Sequence, residues 1–384
     1  MNVVWLASWF PNRTNTTTGD FIERHAHAVA PYLKQLSIIV VVKDEKLPAG
    51  THQIISTSKA NCTTYIAYYG KGKWGKLFEK IYSLKKYVQL QKILFNTVKS
   101  NSGMPDIVHV HVAMKAGLFA IQLKRKYGIK YVLTEHWTGY YNHATPNLQM
   151  MGFYFAQATK KIFKHATLFM PVTKQLATIV NNSVYKLPYT VVPNVVDTTL
   201  FKYAPIPQQV FTFIHLSYLN DQKNIEGMLQ ACSILAAKGV AFKLQLVGSL
   251  HTAVIQKAAE LKLLNKYVFV IDAVPYTQVP SLMQASNALL MFSKFENLPC
   301  VILEALCCGL PVITTKVGGI DEVINETNGI FVPSENTEAL ALAMQNMVNK
   351  AVHFNNKAIA DAASAVFNYT NIGQTIYQQY QLHL

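Results

Sequence analysis

Two α/β domains, each built on a parallel β-sheet with helices on both faces, are predicted by the 384-residue sequence. In both halves of the chain, short runs rich in Val, Ile and Leu alternate with segments of helical periodicity, which is typical of doubly wound parallel sheets. The length exceeds what one ordinary hydrophobic core organises. A break with three prolines and no helical periodicity, VVPNVVDTTLFKYAPIPQQ at 191–209, separates the two halves.

The first predicted domain covers residues 1–195. Its strands are expected at 2–8, 36–42, 63–69, 106–111, 130–136, 166–172 and 189–194. Its helices are expected at 20–32, 75–99, 115–126, 148–165 and 173–181. A further helical pattern over 368–384 can fold back on this domain.

The second predicted domain covers residues 196–367. Its strands are expected at 211–217, 243–248, 267–272, 288–293, 311–315 and 329–333. Its helices are expected at 224–238, 252–264, 275–285, 299–308 and 335–349.

Composition indicates a reduced, cytoplasmic protein. Hydrophobic residues make up 51% of the chain, enough for two cores, yet no apolar run reaches the ~18 residues that span a bilayer. The first residues, MNVVWLA, lack a basic lead and predict a strand rather than a signal peptide. The five cysteines have no metal-ligand spacing, so neither a metal site nor a disulfide framework is expected.

The formal charge of +15 is concentrated at 71–99, where eight lysines accompany one acid, Glu79. Aromatic residues are interleaved with them: Trp74, Phe78, Tyr82 and Tyr87. Such a helix is typical of peripheral binding to an anionic membrane, here the inner membrane surface. A solubilising lysine face over an ordinary core-packing helix fits equally well. No nucleic-acid-binding motif accompanies the charge, so nucleic acid is not an expected partner.

Two acids, Glu296 and Glu304, stand in the apolar stretch FENLPCVILEALCCGLPV with seven residues between them. Buried charge is costly unless it is paired or binds a ligand. Pro299 suits the first turn of a helix, so the backbone N–H groups of Asn297, Leu298 and Cys300 are expected at a helix N-terminus, an anion site. The two carboxylates can accept hydrogen bonds from sugar hydroxyls, and the backbone N–H groups between them can donate to phosphate. A sugar joined to a nucleoside diphosphate carries both kinds of group. In the alternative interpretation, Glu304 pairs with a lysine and Glu296 caps the helix.

Polar residues at predicted strand ends are further candidates, because ligands of open parallel sheets bind beyond the carboxyl ends of the strands. They are His109 and His111, the Glu135–Trp137 segment, Gly248, and the Gly19–Asp20 pair that opens the first helix. Histidines within a strand, such as His109 and His111, are more often structural residues with satisfied hydrogen bonds than catalytic groups.

The stretch from Phe295 to Gly319 closely resembles the signature of retaining family-4 glycosyltransferases, which have the GT-B architecture of two Rossmann-like domains facing across a cleft. Other segments are similar to family segments in the same order along the chain: 106–117, 134–137, 191–201, 218–229 and 319–333.

This resemblance implies roles for particular residues. Glu296 would hold hydroxyls of the transferred sugar, Lys223 would neutralise the departing diphosphate, and His136 would lie at the reacting centre. The resemblance and the motif together give the following donor-binding set: Glu304 for the ribose, the Asn297, Leu298 and Cys300 amides, Gly19 and Ser217. No metal or cofactor is expected besides the donor itself.

One departure from the family pattern concerns the diphosphate. Ser217-Tyr218 stands where the family often has Gly-Arg, and Arg13 and Arg24 are the candidate substitutes. The predicted function is transfer of a sugar from a nucleotide-diphosphate sugar to a glycan or lipid-linked acceptor in cell-surface polysaccharide assembly. The departure leaves open a non-catalytic nucleotide- or glycan-binding protein, and a nucleotide-sugar epimerase is a third reading.

Overall fold

The computed structural model describes residues 1–72, 75–249 and 252–384, with the backbone alone for 75–77 and 80. The chain divides into two compact units. Unit 1 comprises Met1–Pro193 and Tyr369–Leu384, and unit 2 comprises Asn194–Asn368. The observed boundary lies two residues before the predicted one.

Unit 1 is built on a seven-stranded sheet with the order β3-β4-β2-β1-β5-β6-β7. The strands are β1 (Asn2–Ala7), β2 (Gln35–Lys43), β3 (His52–Lys59), β4 (Cys62–Tyr69), β5 (Ile107–His111), β6 (Tyr131–Glu135) and β7 (Leu168–Pro171). The helices are α1 (Asp20–Val29), α2 (Gly75–Ser102), α3 (Ala113–Tyr127), α4 (Phe153–His165), α5 (Lys174–Ser183) and, from the end of the chain, α12 (Tyr369–His383).

Two sequence predictions for unit 1 are wrong. Strand β3 was not expected, because its sequence HQIISTSK has no apolar run; all eight of its residues are exposed, and it pairs antiparallel with β4 at the sheet edge. The segment 189–194 forms no strand, although Tyr189 makes an isolated bridge with Phe169. Prolines at 188 and 193 bracket this segment and lack the N–H that a ladder needs.

Helix α12 completes the core of unit 1. Tyr380 is fully buried, and its hydroxyl accepts a hydrogen bond from Trp5 Nε1 at 3.0 Å and lies 2.6 Å from His109 Nδ1. Gly373 lets α12 approach α1, since a Cβ at this position would lie 2.0 Å from the Ala28 carbonyl oxygen.

Unit 2 is built on a six-stranded parallel sheet with the order β10-β9-β8-β11-β12-β13. The strands are β8 (Thr212–Tyr218), β9 (Lys243–Ser249), β10 (Val268–Asp272), β11 (Ala288–Met291), β12 (Val312–Thr315) and β13 (Gly329–Val332). The helices are α6 (Ile225–Ala237), α7 (Thr252–Glu260), α8 (Val279–Gln284), α9 (Cys300–Cys307), α10 (Thr337–Val348) and α11 (Asn356–Phe367). Helix α11 was not predicted.

The strand order places a crevice in each unit. In unit 2 the chain passes from β8 to β9 on one side, whereas β11 to β13 lie on the other side, so the order reverses between β8 and β11. In unit 1 the corresponding reversal lies between β1 and β5. Ligands of open α/β sheets bind at such reversals, beyond the carboxyl ends of the strands.

Among the described residues, no helix combines the length and the apolarity needed to cross a membrane.

Candidate functional site

An ion pair joins the two sides of the unit 2 crevice. Lys223 ends a short 3-10 turn that follows β8, and Glu296 lies in the loop that follows β11. Lys223 Nζ is 2.5 Å from Glu296 Oε1, and both side chains are largely buried. The contact engages Oε1, one of two carboxylate oxygens that between them offer about four lone-pair sites. The structure therefore brings together two residues that sequence reasoning selected separately.

Backbone contacts hold this loop in place. The Gln222 side chain donates to the Phe295 carbonyl at 2.9 Å, and the Lys294 N–H donates to the Gln222 carbonyl at 2.8 Å. Asn194, from the segment joining the units, donates to the Leu298 carbonyl at 2.8 Å. Three hydrogen bonds thus fix the chain on either side of Glu296. The sequence had placed Asn194 only in a linker, so its contact with this loop was not predicted.

The Gly-Gly loop packs directly on the same backbone. Gly318 has a φ of +59°, and a Cβ there would lie 2.2 Å from the Glu296 carbonyl oxygen. The Gly319 N–H donates to the Asn297 carbonyl at 2.9 Å. Only glycine combines this conformation with this approach.

Replacing Gly318 by alanine is therefore expected to displace the Glu296 loop and to lower both stability and ligand affinity. Gly239 is the matched control, because its φ is +69° but no heavy atom lies within 4 Å of an added Cβ. Gly239→Ala should cost only the left-handed backbone penalty, about 1–2 kcal/mol. Urea unfolding followed by circular dichroism compares the two variants; equal losses would show that contact with Glu296 adds nothing.

The second acid lies on α9. This helix begins at Cys300, has Pro299 at its N-cap with no side-chain cap, and ends before Gly309, whose φ is +81°. Glu304 is buried on its second turn, and the Tyr276 hydroxyl donates to Glu304 Oε1 at 3.2 Å. The alternative in which Glu296 caps this helix is wrong.

The predicted amide donors lie where α9 starts. Asn297 and Leu298 are buried in the loop between the two acids, and Cys300 is the first helical residue. Of the three, only Cys300 therefore presents an N–H of the first helical turn, because Asn297 and Leu298 precede the Pro299 N-cap.

Ser217, predicted to bind the donor, uses its hydroxyl inside the fold. Its Oγ lies 2.6 Å from His215 Nε2 and 3.0 Å from the Tyr218 carbonyl. His215 Nδ1 faces the Leu290 carbonyl at 2.8 Å, so Nδ1 carries the hydrogen of a neutral ring. Burial, together with the nearby charge of Lys223, lowers the pKa of His215 to about 4. His215 is a site neighbour that the sequence did not reveal.

Gly248 stands opposite Ser217 on the neighbouring strand. A Cβ at Gly248 would lie 1.9 Å from the Ser217 carbonyl oxygen. The glycine that ends the predicted strand KLQLVG therefore keeps β8 and β9 close at the crevice.

The two proposed arginine substitutes are engaged within unit 1. Arg13 pairs with Asp44 at 2.8 Å and stacks on the Tyr68 ring, and Arg24 pairs with Asp20 at 3.0 Å. A lysine that sequence reasoning missed does lie beside the unit 2 site: Lys294, two residues before Glu296. Its Nζ is 2.7 Å from Asp221 Oδ1, and the hydrogen bond to this carboxylate raises the pKa of Lys294.

In unit 1, Gly19 and His136 lie at the ends of different elements. Gly19 is the N-cap of α1 with a φ of +71°, and a Cβ there would lie 2.7 Å from the Trp9 carbonyl carbon. His136 follows β6 and packs on Phe21, with ring centroids 4.4 Å apart. Phe21 belongs to α1, so the two predicted residues border the same helix.

His136 belongs to a buried group of four histidines. Ring centroids are 3.9 Å apart for His109 and His111, 6.3 Å for His111 and His136, and 5.9 Å for His25 and His136. Burial lowers the pKa of His25, and it lowers the pKa values of His109, His111 and His136 well below the usual range. The four rings are therefore neutral near pH 7.

The neighbouring carboxyl of Glu135 is also buried. It accepts hydrogen bonds from the Ala113 N–H at 2.7 Å and the Tyr140 hydroxyl at 2.8 Å. Burial raises the pKa of Glu135 although these donors oppose the shift.

His109 and His111 have different environments. His109 contacts Thr134 Oγ1 at 2.8 Å as well as Tyr380, which is the arrangement of a structural residue. Both ring nitrogens of His111 are buried without a hydrogen-bond partner, and the ring packs on Trp5 with centroids 4.0 Å apart and the ring planes tilted by 37°.

The part of the chain that the structure describes contains no group of three or more His, Cys, Asp or Glu side chains arranged to hold a metal ion.

Two family models match the sequence in succession. Residues 22–200 match Glycosyltransferase Family 4, and residues 196–364 match Glycosyl transferases group 1. Together they span both structural units. The two units together are thus those of a glycosyltransferase, an enzyme class. The chain belongs to glycosyltransferase family 4, as the resemblance indicated.

Curated relatives agree with this assignment. A Bacillus subtilis protein named as a teichuronic acid biosynthesis glycosyltransferase, TuaC, is 21% identical over 99% of this chain and 98% of its own length. The N-acetyl-alpha-D-glucosaminyl L-malate synthase of Bacillus anthracis is 26% identical over 65% of this chain and 67% of its own. The capsular polysaccharide biosynthesis glycosyltransferase CapM of Staphylococcus aureus is 26% identical over 38% of this chain and 39% of its own.

Solved structures establish the fold. Sucrose-phosphate synthase from Thermosynechococcus elongatus superposes with a TM-score of 0.79 at 18% identity, covering 100% of this chain and 99% of that one. Anabaena HepE, solved in complex with UDP-glucose, superposes with a TM-score of 0.71 at 17% identity, covering 100% of both chains. The predicted GT-B fold class is confirmed.

Proposed function

We propose that the protein is a retaining glycosyltransferase that moves a sugar from a nucleoside-diphosphate sugar to a glycan or lipid-linked acceptor in cell-surface polysaccharide assembly. The observation that carries this proposal is the buried Lys223–Glu296 pair at the unit 2 crevice, with Glu304 eight residues further along the same segment.

The chemistry suits these residues. In the reaction, the bond between the anomeric carbon and the diphosphate breaks, a bond to an acceptor oxygen forms, and the acceptor proton leaves with the nucleoside diphosphate. Lys223 supplies positive charge where the leaving phosphate gains negative charge, which is electrostatic stabilisation by a preorganised group. Glu296 and Glu304 accept hydrogen bonds from hydroxyls of the sugar and the ribose. The reaction so drawn needs no bound metal.

The names of the relatives support the polysaccharide setting. TuaC carries a name that refers to teichuronic acid, and CapM carries a name that refers to capsular polysaccharide. HepE was solved with UDP and with UDP-glucose. The roles that the resemblance gives to His136 and Gly19 stay predictions.

The proposal is tested first with the donor. Thermal stabilisation by UDP, GDP, CDP and ADP should reveal one preferred diphosphate, and the matching sugar nucleotides should release that diphosphate when an acceptor glycan is added. The anomeric configuration of the product, read by NMR, tests retention. No shift with any of the four diphosphates and no release from any donor would contradict the proposal.

A prediction for donor affinity concerns Tyr276, whose ring packs on Phe201 at 5.2 Å while its hydroxyl donates to Glu304. Tyr276→Phe keeps the ring and removes the hydrogen bond, worth about 1.5–3 kcal/mol for a charged acceptor. We expect the KM for the donor to rise about tenfold or more with little change in kcat. Tyr267→Phe, a tyrosine packed on Phe242, is the control. An equal effect of both variants would contradict a role for Tyr276 in holding Glu304.

A non-catalytic binding protein is the second candidate, favoured by the exposed Tyr218 at the position where the family often has arginine. It predicts diphosphate binding without turnover. A nucleotide-sugar epimerase predicts conversion of the donor with no acceptor present. The release assay with and without acceptor separates all three functions.

We also propose that the 71–99 segment contacts an anionic membrane. Lys73 and Trp74 lie outside the described residues, as do the side chains of Lys76 and Lys80. Along α2, Phe78 is exposed whereas Tyr87 packs in the core, so the aromatic residues do not share one face. Vesicle binding by wild type and by a variant with Lys85, Lys86, Lys92 and Lys99 replaced by Gln tests the lysines; equal binding would contradict their role.

A further inference from the structure

A run of large apolar side chains is exposed where α4 begins. Tyr154 is 88% exposed, Phe153 70%, Met150 64% and Met151 40%. The buried side chains of α4, such as Ile162 and Phe163, belong to its later turns. Singly exposed apolar residues are ordinary, but four within five positions form a contiguous patch of the kind that marks an interaction surface. We call these four residues the α4 apolar run.

The topology places this run at the carboxyl edge of the unit 1 sheet. The segment 136–152 leaves the carboxyl end of β6, and α4 then returns along the sheet to β7. Two contacts anchor the segment there: the Leu148 N–H donates to the Gly139 carbonyl at 2.7 Å, and the rings of Trp137 and Phe155 are 5.9 Å apart. The run therefore protrudes from the edge that carries His136.

A second exposed apolar group lies at the start of α2. Phe78, Ile81 and Leu84 are all exposed and recur at a spacing of three, so they lie on one side of the helix. Helix α2 has 28 residues and is about 42 Å long, whereas the longest strand has nine residues, about 30 Å. Its described side chains become buried in the core only from Tyr87 onward.

Both groups lie at the same edge of the same helical layer. Lys43, the last residue of β2, pairs with Glu79 at 2.6 Å, so the first turns of α2 are at the carboxyl edge. Helices α2, α3 and α4 connect strands that advance in one direction across the sheet, which puts them on one face. Phe95 of α2 contacts Phe119 of α3.

The surrounding charge selects the partner. Residues 107–196 contain ten lysines and arginines but only one acid, the buried Glu135. At this edge Lys115, in the first turn of α3, is exposed, and Lys160, Lys161 and Lys164 are exposed along α4, two to three turns beyond the run. A second copy of this chain would bring like charges together, whereas an anionic lipid surface brings opposite charge to the lysines and an apolar phase to the run.

We propose that the α4 apolar run, together with Phe78, Ile81 and Leu84, inserts into the interface of an anionic lipid bilayer and sets the carboxyl edge of unit 1 against it. This extends the membrane contact proposed for the 71–99 segment and makes the α4 run its main apolar anchor. Where the proposed function holds, a lipid-linked acceptor in that bilayer would lie beside His136. The membrane contact itself requires no catalysis.

The test is partition of the full chain between buffer and vesicles of phosphatidylcholine, with and without phosphatidylglycerol, in the absence of donor. We expect binding only with phosphatidylglycerol. The variant Met150→Ser, Phe153→Ser, Tyr154→Ser should lower the partition coefficient at least tenfold. The free energy of membrane binding grows with the apolar area buried in the lipid interface, and the variant removes most of that area. The control replaces by Ser three exposed apolar residues that lie outside the run: Leu342, Val366 and Leu382.

Several outcomes would overturn the proposal. They are equal binding by wild type and the α4 variant, absence of wild-type binding, binding indifferent to phosphatidylglycerol, or an equal loss with the control. Loss of self-association in the α4 variant, with no vesicle binding by wild type, would identify a second copy as the occupant instead. The variant Phe78→Ser, Ile81→Ser, Leu84→Ser should cause a separate, smaller loss; if it alone abolishes binding, the α4 run is not the anchor.

Folding and catalysis are checked separately. Tryptophan fluorescence and urea unfolding of the α4 variant should match wild type, because the replaced side chains are exposed. Diphosphate-induced thermal stabilisation, measured without vesicles, should also be unchanged. If the chain binds vesicles but turns over no donor, the proposed function is wrong and the membrane contact stands. If the chain turns over donor but does not bind vesicles, the membrane contact is wrong and the proposed function stands.

Discussion

Replacing Lys223 by methionine should destabilise unit 2 by about 3–5 kcal/mol, because Glu296 is then left buried without the partner 2.5 Å away. Glu296→Leu should have a similar effect, because the positive charge of Lys223 is then left buried without its partner. Each variant should also lower sugar transfer by about two to three orders of magnitude, the usual loss when one stabilising group is removed from a preorganised site.

The double variant Lys223→Met, Glu296→Leu separates structure from function. Buried ion pairs replaced by apolar residues of similar volume are often neutral or stabilising. We therefore expect urea unfolding, followed by circular dichroism, to return close to wild type, while transfer stays as low as in the single variants. A purely structural pair would instead recover activity together with stability.

A surface pair provides the control. Lys357 and Asp361 lie 2.8 Å apart on one helix, and both are exposed. Exposed pairs contribute about 0–1 kcal/mol, so Lys357→Met should leave both stability and transfer nearly unchanged. A large effect of this control would show that the assay reports loss of surface charge rather than loss of the site.

Acid should unfold unit 1 well before the carboxylates of an ordinary protein titrate. The four buried histidines are neutral in the native state, and their pKa values lie below the usual 6.5. Above pH 6.5 they are neutral in both states and affect nothing. Below it the unfolded chain binds protons that the native state does not, so the free energy of unfolding falls by about 1.4 kcal/mol per pH unit for each histidine.

The pKa values of His109, His111 and His136 lie well below the usual range, so these three together give a loss of about 4 kcal/mol per pH unit below pH 6.5, a large fraction of the stability of a domain. His25, whose pKa is also lowered, adds to this loss until its native ring takes up a proton. Glu135 works in the opposite direction. Burial raises its pKa above the unfolded value of 4.5, so the native state takes up this proton first and offsets part of the loss at lower pH.

The sequence provides a selective probe for this measurement. All four tryptophans, at positions 5, 9, 74 and 137, precede residue 194, so fluorescence reports unit 1. Urea titrations between pH 7.5 and 5.5 should show the steep loss. His111→Phe removes a titrating ring that makes no hydrogen bond and should lower the slope by about one proton, or 1.4 kcal/mol per pH unit.

His353→Gln is the control, because this histidine is exposed and lies in unit 2. It should leave the slope of the fluorescence-detected stability unchanged. If the free energy of unfolding of the wild type changes with pH by no more than one proton's worth, about 1.4 kcal/mol per pH unit, the four histidines are not buried as neutral rings.

The fold was predictable because apolar runs and helical periods are local signals. The predicted strands of unit 2 agree with the observed ones within two residues, since each carries a short apolar run, and the central strands β11 and β12 are buried over their whole length. Strand β3 escaped prediction for the opposite reason: HQIISTSK is wholly exposed and is defined by its pairing with β4. An exposed edge strand contains no run of buried apolar residues, so hydrophobic patterning does not mark it.

The candidate site was predictable as residue types but not as partners. The spacing of Glu296 and Glu304 and the resemblance selected both acids, yet the contact of Glu296 with Lys223 joins residues 73 positions apart. His215 and Tyr276 were missed because each sits in an ordinary strand or turn sequence and becomes relevant only through Ser217 and Glu304. The Ser217 hydroxyl is engaged by a hydrogen bond with His215 Nε2 inside the fold. This bond depends on the tautomer of His215, which no sequence pattern encodes.

Because α12 belongs to unit 1, the two units are expected to complete their folding at different times during synthesis of the chain. Unit 2 is one continuous stretch, so all of its contacts are available once residue 368 has left the ribosome. Unit 1 instead waits for Tyr380, which fills the core beside Trp5 and His109. The amino-terminal part of the chain, made first, is therefore the last to acquire its complete core, and until then it exposes the apolar surface that chaperones recognise.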